Sequence, residues 1–152
     1  MKVRLYKETK VEEPIVAIHY KKMDASIESL IRFAKVQDIY FTGEENGRLH
    51  RIQAREIFYV EAVDQKVFIY TSDKVFRTSL KLYQLLAQLK ELEFRQISKS
   101  CILNMNVLDT IQTLKNSRLE TVLSNGEHLY VSRTYIPRIK EFFGLWEGKN
   151  DS

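Results

Sequence analysis

Proline and glycine are scarce in this chain, with two and five residues among 152. Pro14 and Pro137 stand far apart, so no long flexible or proline-rich linker divides it. A single cysteine, Cys101, excludes an internal disulfide framework, a redox thiol pair and a zinc knuckle, and suits a reducing cytosol. His19, His50 and His128 share no ligand spacing with Cys101 or with a carboxylate. The longest apolar stretches, such as Ile57-Phe58-Tyr59-Val60, fall far short of a membrane span. Lys2 and Arg4 put charge where a secretion signal needs its apolar region, so no leader is expected. Phosphate-cradling glycine loops and a nucleophile elbow are absent. The neighbouring acids Glu12-Glu13 and Glu44-Glu45 fall at polar, turn-like positions, whereas paired-acid hydrolysis needs carboxylates facing across a cleft. The sequence is therefore read as non-enzymatic, with no metal, cofactor or small-molecule ligand expected.

What is present is enough apolar material for a core: 44% hydrophobic residues against 29% charged. The 24 basic and 20 acidic residues leave a formal charge of +4, a weak pointer to an anionic partner. Their distribution says more than the total. Residues 65–72, 94–108 and 128–140 contain no acid, yet hold Lys66, then Arg95 and Lys99, then Arg133, Arg138 and Lys140.

Val3 and Leu5 alternate with charged residues, and Ile15-Val16-Ala17-Ile18 follows, so two N-terminal strands are expected. Asp24 is placed to cap a helix over 24–36 with Ile27, Leu30, Ile31 and Ala34 on one face. After Gln37 the period shortens, predicting strands at 38–42, 48–52, 55–62, 67–71 and 74–78. Ser79 would cap a second helix with Leu82, Leu85, Leu86 and Leu89 buried. Strands are expected near 94–98, 110–114, 119–123 and 128–131, the last two joined by a type I′ turn at Asn125-Gly126. Thr134 would cap a closing helix that stops at Gly144. The class is mainly β with short flanking helices.

The acid-poor stretches fall at strand edges and strand-to-helix connections, and they come in a set order. Ile57-Phe58-Tyr59-Val60-Glu61-Ala62 is followed by a strand, a helix and Phe94-Arg95-Gln96-Ile97-Ser98-Lys99-Ser100-Cys101-Ile102-Leu103-Asn104. Leu123-Ser124-Asn125-Gly126 and Val131-Ser132-Arg133-Thr134-Tyr135 complete it. This order resembles the LytTR-type DNA-binding domain of bacterial transcription regulators over about residues 38–144. The Ser98-Lys99-Ser100 version, with about 37 N-terminal residues and no receiver, resembles the stand-alone regulators of Gram-positive bacteria.

The resemblance implies stacked small antiparallel sheets plus an N-terminal β-β-α extension, with loops rather than a recognition helix entering successive major grooves. It carries base contact over to Lys66 (approximately, because that loop varies in length), Lys99 and Arg133. Ser98 and Lys99 stand where the family often has His-Arg or His-Asn, and Gln96 where some members have Arg. The chemistry agrees: Arg133 can fork onto guanine O6 and N7, and Lys99 can donate to the same acceptors. Gln65, Ser98, Ser100, Thr134 and Tyr135 are assigned to phosphates.

Plainer roles stand beside these. Ser98 and Ser100 can serve only as turn residues, and Asn104 is read as fixing loop backbone. Cys101 is read as a small core residue rather than a redox sensor. Arg138 and Lys140 can simply decorate the closing helix, and Trp146 is expected to pack back on the domain. The organisation expected is residues 1–37 as a dimerisation or partner-contact extension, 38–146 as the DNA-binding domain, and 147–152 as a disordered tail. The function expected is that of a cytoplasmic, sequence-specific regulator of transcription. It would bind double-stranded DNA as a homodimer on repeated half-sites and be restrained by a membrane protein. Its competitors are a protein-interaction module that sets the same basic loops against an acidic partner protein, and a small enzyme.

Overall fold

Hydrophobic alternation after Gln37 becomes strand from Tyr40 onward. The computed structural model describes residues 1–36 and 39–150, with side chains for all of these except 36 and 145–150. Helix α1 (Ala25–Val36) starts where Asp24 predicts: the Ile27 N–H donates to Asp24 Oδ1 at 3.0 Å. β1 (Tyr40–Glu45) and β2 (Arg48–Gln53) form a hairpin whose turn, Asn46-Gly47, has positive φ at both positions (52° and 78°), as a type I′ turn requires. Gly43 sits where a Cβ would lie 2.6 Å from Ile52 Cδ1 and from Phe76 Cβ, so only glycine lets these side chains close over β1.

β3 (Tyr59–Val63), β4 (Lys66–Tyr70) and β5 (Val75–Thr78) lead to α2 (Leu82–Leu89). β6 (Phe94–Ser98) and β7 (Cys101–Asn104) finish a seven-stranded antiparallel sheet of order β2-β1-β5-β4-β3-β7-β6. β8 (Leu108–Thr113), β9 (Leu119–Leu123) and β10 (His128–Val131) form a second, three-stranded sheet, and α3 (Ile136–Asn150) closes the chain. Two cores result. Val60, Ile69 and Ile102 meet Leu85 and Leu89 of α2 on one side of the large sheet. Tyr59, Ile97, Cys101 and Leu103 meet Leu119, Leu123, Val131 and Ile139 on the other.

Several expectations are corrected. Among the described residues 1–24 there is no strand: Val3, Leu5, Ile15 and Val16 are exposed, because no sheet edge lies beside them to take their backbone hydrogen bonds. The run 55–62 divides into a 3-10 turn (Ala54–Glu56) and β3, the turn being closed by Gln53 N–H donating to Glu56 Oε2 at 3.3 Å. α2 begins at Leu82, not after Ser79; Gln84 Oε1 accepts the Lys81 N–H at 2.8 Å and so sets the start. Thr134 lies within a 3-10 turn (Arg133–Tyr135) whose cap position is Ser132, so it caps nothing. Asn125-Gly126 is not type I′: only Gly126 has positive φ (87°), and Gly126 N–H donates to Leu123 O at 2.9 Å. That is a type I turn followed by a left-handed glycine. α3 passes through Gly144, which is exposed in the middle of the helix, and 147–150 are helical. Gln37, Asp38 and the tail end 151–152 lie outside the described residues, and the expected packing of Trp146 lies outside the described side chains.

Candidate nucleic-acid interface

Main-chain hydrogen bonds gather the three acid-poor stretches at one end of β6. The Ala62 N–H donates to Ser100 O at 2.8 Å, pinning the β3–β4 hairpin to the β6–β7 turn. The Ser132 N–H donates to Ile97 O at 2.8 Å, pinning the segment before α3 to the same turn from the other side. Residues 97–100 are therefore the hub, and segments far apart in sequence are held against it by backbone rather than by long side chains.

Each segment has its own local geometry. Asp64 and Gln65 form a two-residue turn closed by Val63 pairing with Lys66, and both have positive φ (51° and 66°). Non-glycine residues are strained in that region, so the hairpin tip is held in shape against local preference. Lys99 and Ser100 form the turn between Ser98 and Cys101, with Ile97 as the extra residue of a β-bulge. The Ser100 N–H donates to Ser98 Oγ at 3.2 Å, and the two hydroxyls lie 3.4 Å apart, so the serines shape the turn as well as edging it. Lys99 is exposed between them.

One groove lies against this hub, and a second lies at Arg133, the residue after Ser132. The first, of about 510 Å³, is bordered by Gln65, Gln96 and Lys99 and, from the start of α2, by Lys81 and Tyr83; its floor is apolar. The second, of about 280 Å³, holds Arg133 beside Arg118, Ser117 and Lys140. No carboxylate lines either groove. The structure thus brings Gln65 and Lys99 together and sets Arg133 in a separate basic cleft. Lys66 is exposed at the start of β4 but lines neither groove. Ser98 is half-buried and Ser100 and Thr134 exposed, whereas Tyr135 is half-buried against the second core. Lys81, Tyr83 and Arg118 escaped sequence reading. Arg118 follows a turn between two strands, and its only signal was its nearness to Lys115.

The buried polar groups behind the hub are structural. Asn104 Nδ2 donates to Ile57 O at 2.8 Å, and its Oδ1 accepts the Asn106 N–H at 2.9 Å. Burial, followed by the charges of Glu61 and Glu127, pushes the Cys101 thiol up to about 12, which leaves it protonated and inert at neutral pH. Tyr59 is raised by burial and by the hydrogen bond it donates to Glu127 Oε1 at 2.9 Å. Among the described residues no cluster of His, Cys, Asp and Glu could hold a metal. No described helix is long and apolar enough to cross a membrane.

Comparison with known proteins places this arrangement. The LytTr DNA-binding domain matches residues 47–144. The chain belongs to that family. Among solved structures, the LytTr DNA-binding domain of a putative methyl-accepting/DNA response regulator from Bacillus cereus superposes with a TM-score of 0.64 at 21% identity. It covers 69% of this chain and 96% of its own length, and shows the LytTr fold here. Two proteins of Staphylococcus aureus, strains MSSA476 and MW2, each named an uncharacterized HTH-type transcriptional regulator, are 29% identical over 143 residues. Those alignments take in 93% of this chain and 97% of each relative, so they reach well beyond the LytTr region into the N-terminal segment. In this LytTr chain five strands separate α1 from α2 and five more separate α2 from α3, so no two described α-helices are consecutive. A helix-turn-helix needs two helices joined by a short turn, and the basic segments here are loops.

Proposed function

We propose that this chain is a cytoplasmic, sequence-specific regulator of transcription that reads double-stranded DNA in the major groove through its loops. One observation carries the reading: two basic segments, distant in sequence, are hydrogen-bonded to a third at the β6–β7 turn, and the grooves beside these segments have no lining carboxylate. Lys66, Lys99 and Arg133 are the base-contacting side chains. Gln65, Ser98, Ser100, Thr134 and Tyr135 hold phosphates, the last through its hydroxyl with the ring packed inward. Arg133 suits guanine, whose O6 and N7 match the guanidinium fork. The regulator acts as a homodimer on repeated half-sites, and residues 1–24, exposed except for the half-buried Ile18, supply contacts with α1 to the second copy and to a restraining membrane protein. That segment is basic, with eight basic against five acidic residues in 1–37.

Selection of bound duplexes from a random DNA pool tests this. A repeated half-site should emerge, and Arg133→Ala should weaken binding by about 1–3 kcal/mol and relax preference at one base position. A pool without enrichment, or Arg133→Ala binding the selected duplex unchanged, would rule the reading out.

A further inference from the structure

Lys81, the residue just before α2, and Tyr83 on its first turn border the same groove as Lys99 and Gln65, although the fold makes no use of their polar ends. Tyr83 is 73% exposed. The Lys81 main-chain N–H is already taken by Gln84 Oε1 at 2.8 Å, so its side chain is not needed to start the helix. Ion pairs among the described residues use Arg32, Arg95 and His128 and leave Lys81 and Lys99 unpaired. The groove between them has an apolar floor of Ala62, Val67, Leu82 and Leu86, and its rim carries two ammonium groups, amides and a phenol. A rim of positive charge without an acid fits a polyanion, and an apolar floor between such donors fits the sugar faces that separate successive phosphates.

We propose that the start of α2 is a further DNA-contacting segment, in which Lys81 neutralises one backbone phosphate and the Tyr83 hydroxyl donates to a neighbouring one. This rests on the loop-reading function above and extends the footprint along the backbone beyond the β3–β4 and β6–β7 turns. The contact carries affinity and register, not sequence. Bases are left to the loop tips, and α2 lies outside the groove that those tips enter.

The test is fluorescence anisotropy of the full chain on a duplex selected from the random pool and on its scrambled version, over stepped KCl. Lys81→Ala should weaken both duplexes by the same factor, roughly five- to tenfold near 0.1 M salt, and lower the slope of log affinity against log salt by ~0.9. Lys81→Arg should restore both values. Tyr83→Phe should weaken both duplexes with the slope unchanged, because a neutral donor releases no counterion. Gln84→Ala disturbs the helix start but keeps Lys81, so it should leave the slope alone; a slope lowered by Gln84→Ala would make the Lys81 effect structural and overturn the proposal. Unchanged affinity and slope in Lys81→Ala, or a loss confined to the selected duplex, would also overturn it. Arg133→Ala, measured in parallel, separates the two readings. If it relaxes base preference while Lys81→Ala changes nothing, the loops still read DNA and only the α2 contact is wrong.

Discussion

Asn104 devotes its side chain to backbone and to Asn106, in a strand otherwise made of Cys101, Ile102 and Leu103. It is 2% exposed, and its amide joins Ile57 O, just before β3, to the turn at Asn106. Asn104→Ala leaves the Ile57 carbonyl without this donor and the Asn106 N–H without this acceptor. We expect a loss of about 2–4 kcal/mol in denaturant unfolding, with unchanged base preference in the folded fraction. A loss under about 0.5 kcal/mol would mean that water replaces the amide without cost. Cys101, two strand positions away from Leu103, shows the same division: next to the hub in sequence, it faces the core and takes no part in the surface chemistry.

At the scale of elements, of the two turns beside the first groove only the β3–β4 turn is built against local preference. The β3–β4 turn has the shape that Asn-Gly adopts at Asn46-Gly47, yet holds Asp64 and Gln65. Replacing both (Asp64→Asn with Gln65→Gly) should stabilise the fold by about 1–2 kcal/mol, because left-handed backbone costs about that for ordinary residues. The same double variant should bind all duplexes more weakly, since the phosphate donor proposed at Gln65 is gone. Thermal unfolding and anisotropy on selected and scrambled DNA check the pair of effects. A variant no more stable than the parent would mean the turn is unstrained. The β6–β7 turn differs in kind: Lys99 and Ser100 keep negative φ, and the bulge at Ile97 shifts the register just before it.

Across the whole molecule the β-rich body has two cores, and the N-terminal segment contributes little to either. Ile27 is the first buried residue, α1 rests on the 3-10 turn Ala54–Glu56, and Arg32 reaches Glu93 at 3.9 Å. Leu30 and Phe33 on that helix stay exposed, as do Val3, Leu5, Ile15 and Val16 before it. Deleting residues 1–23 should therefore shift stability by no more than about 0.5 kcal/mol and abolish the proposed dimer in sedimentation equilibrium. A truncated chain that remains dimeric would move the interface elsewhere.

Local chemistry settled much of this protein in advance. Period-two alternation placed β1, β2, β4, β5 and β9, the helical period and Asp24 placed α1, and the acid-free stretches marked the segments that meet at the hub. β7 was not legible, because a strand buried on both faces has no alternation and Cys101-Ile102-Leu103-Asn104 looks like a loop beside a short apolar run. The N-terminal strands failed for the opposite reason: Val3, Leu5 and Ile15 have the pattern, but a strand exists only where another backbone accepts its hydrogen bonds. The hub itself belongs to tertiary structure alone. Ala62 to Ser100 and Ser132 to Ile97 are backbone bonds between segments tens of residues apart, independent of side-chain identity, so the sequence marks the segments but not their pairing. The same packing decides that Lys81 and Arg118 border the grooves while Lys66 does not.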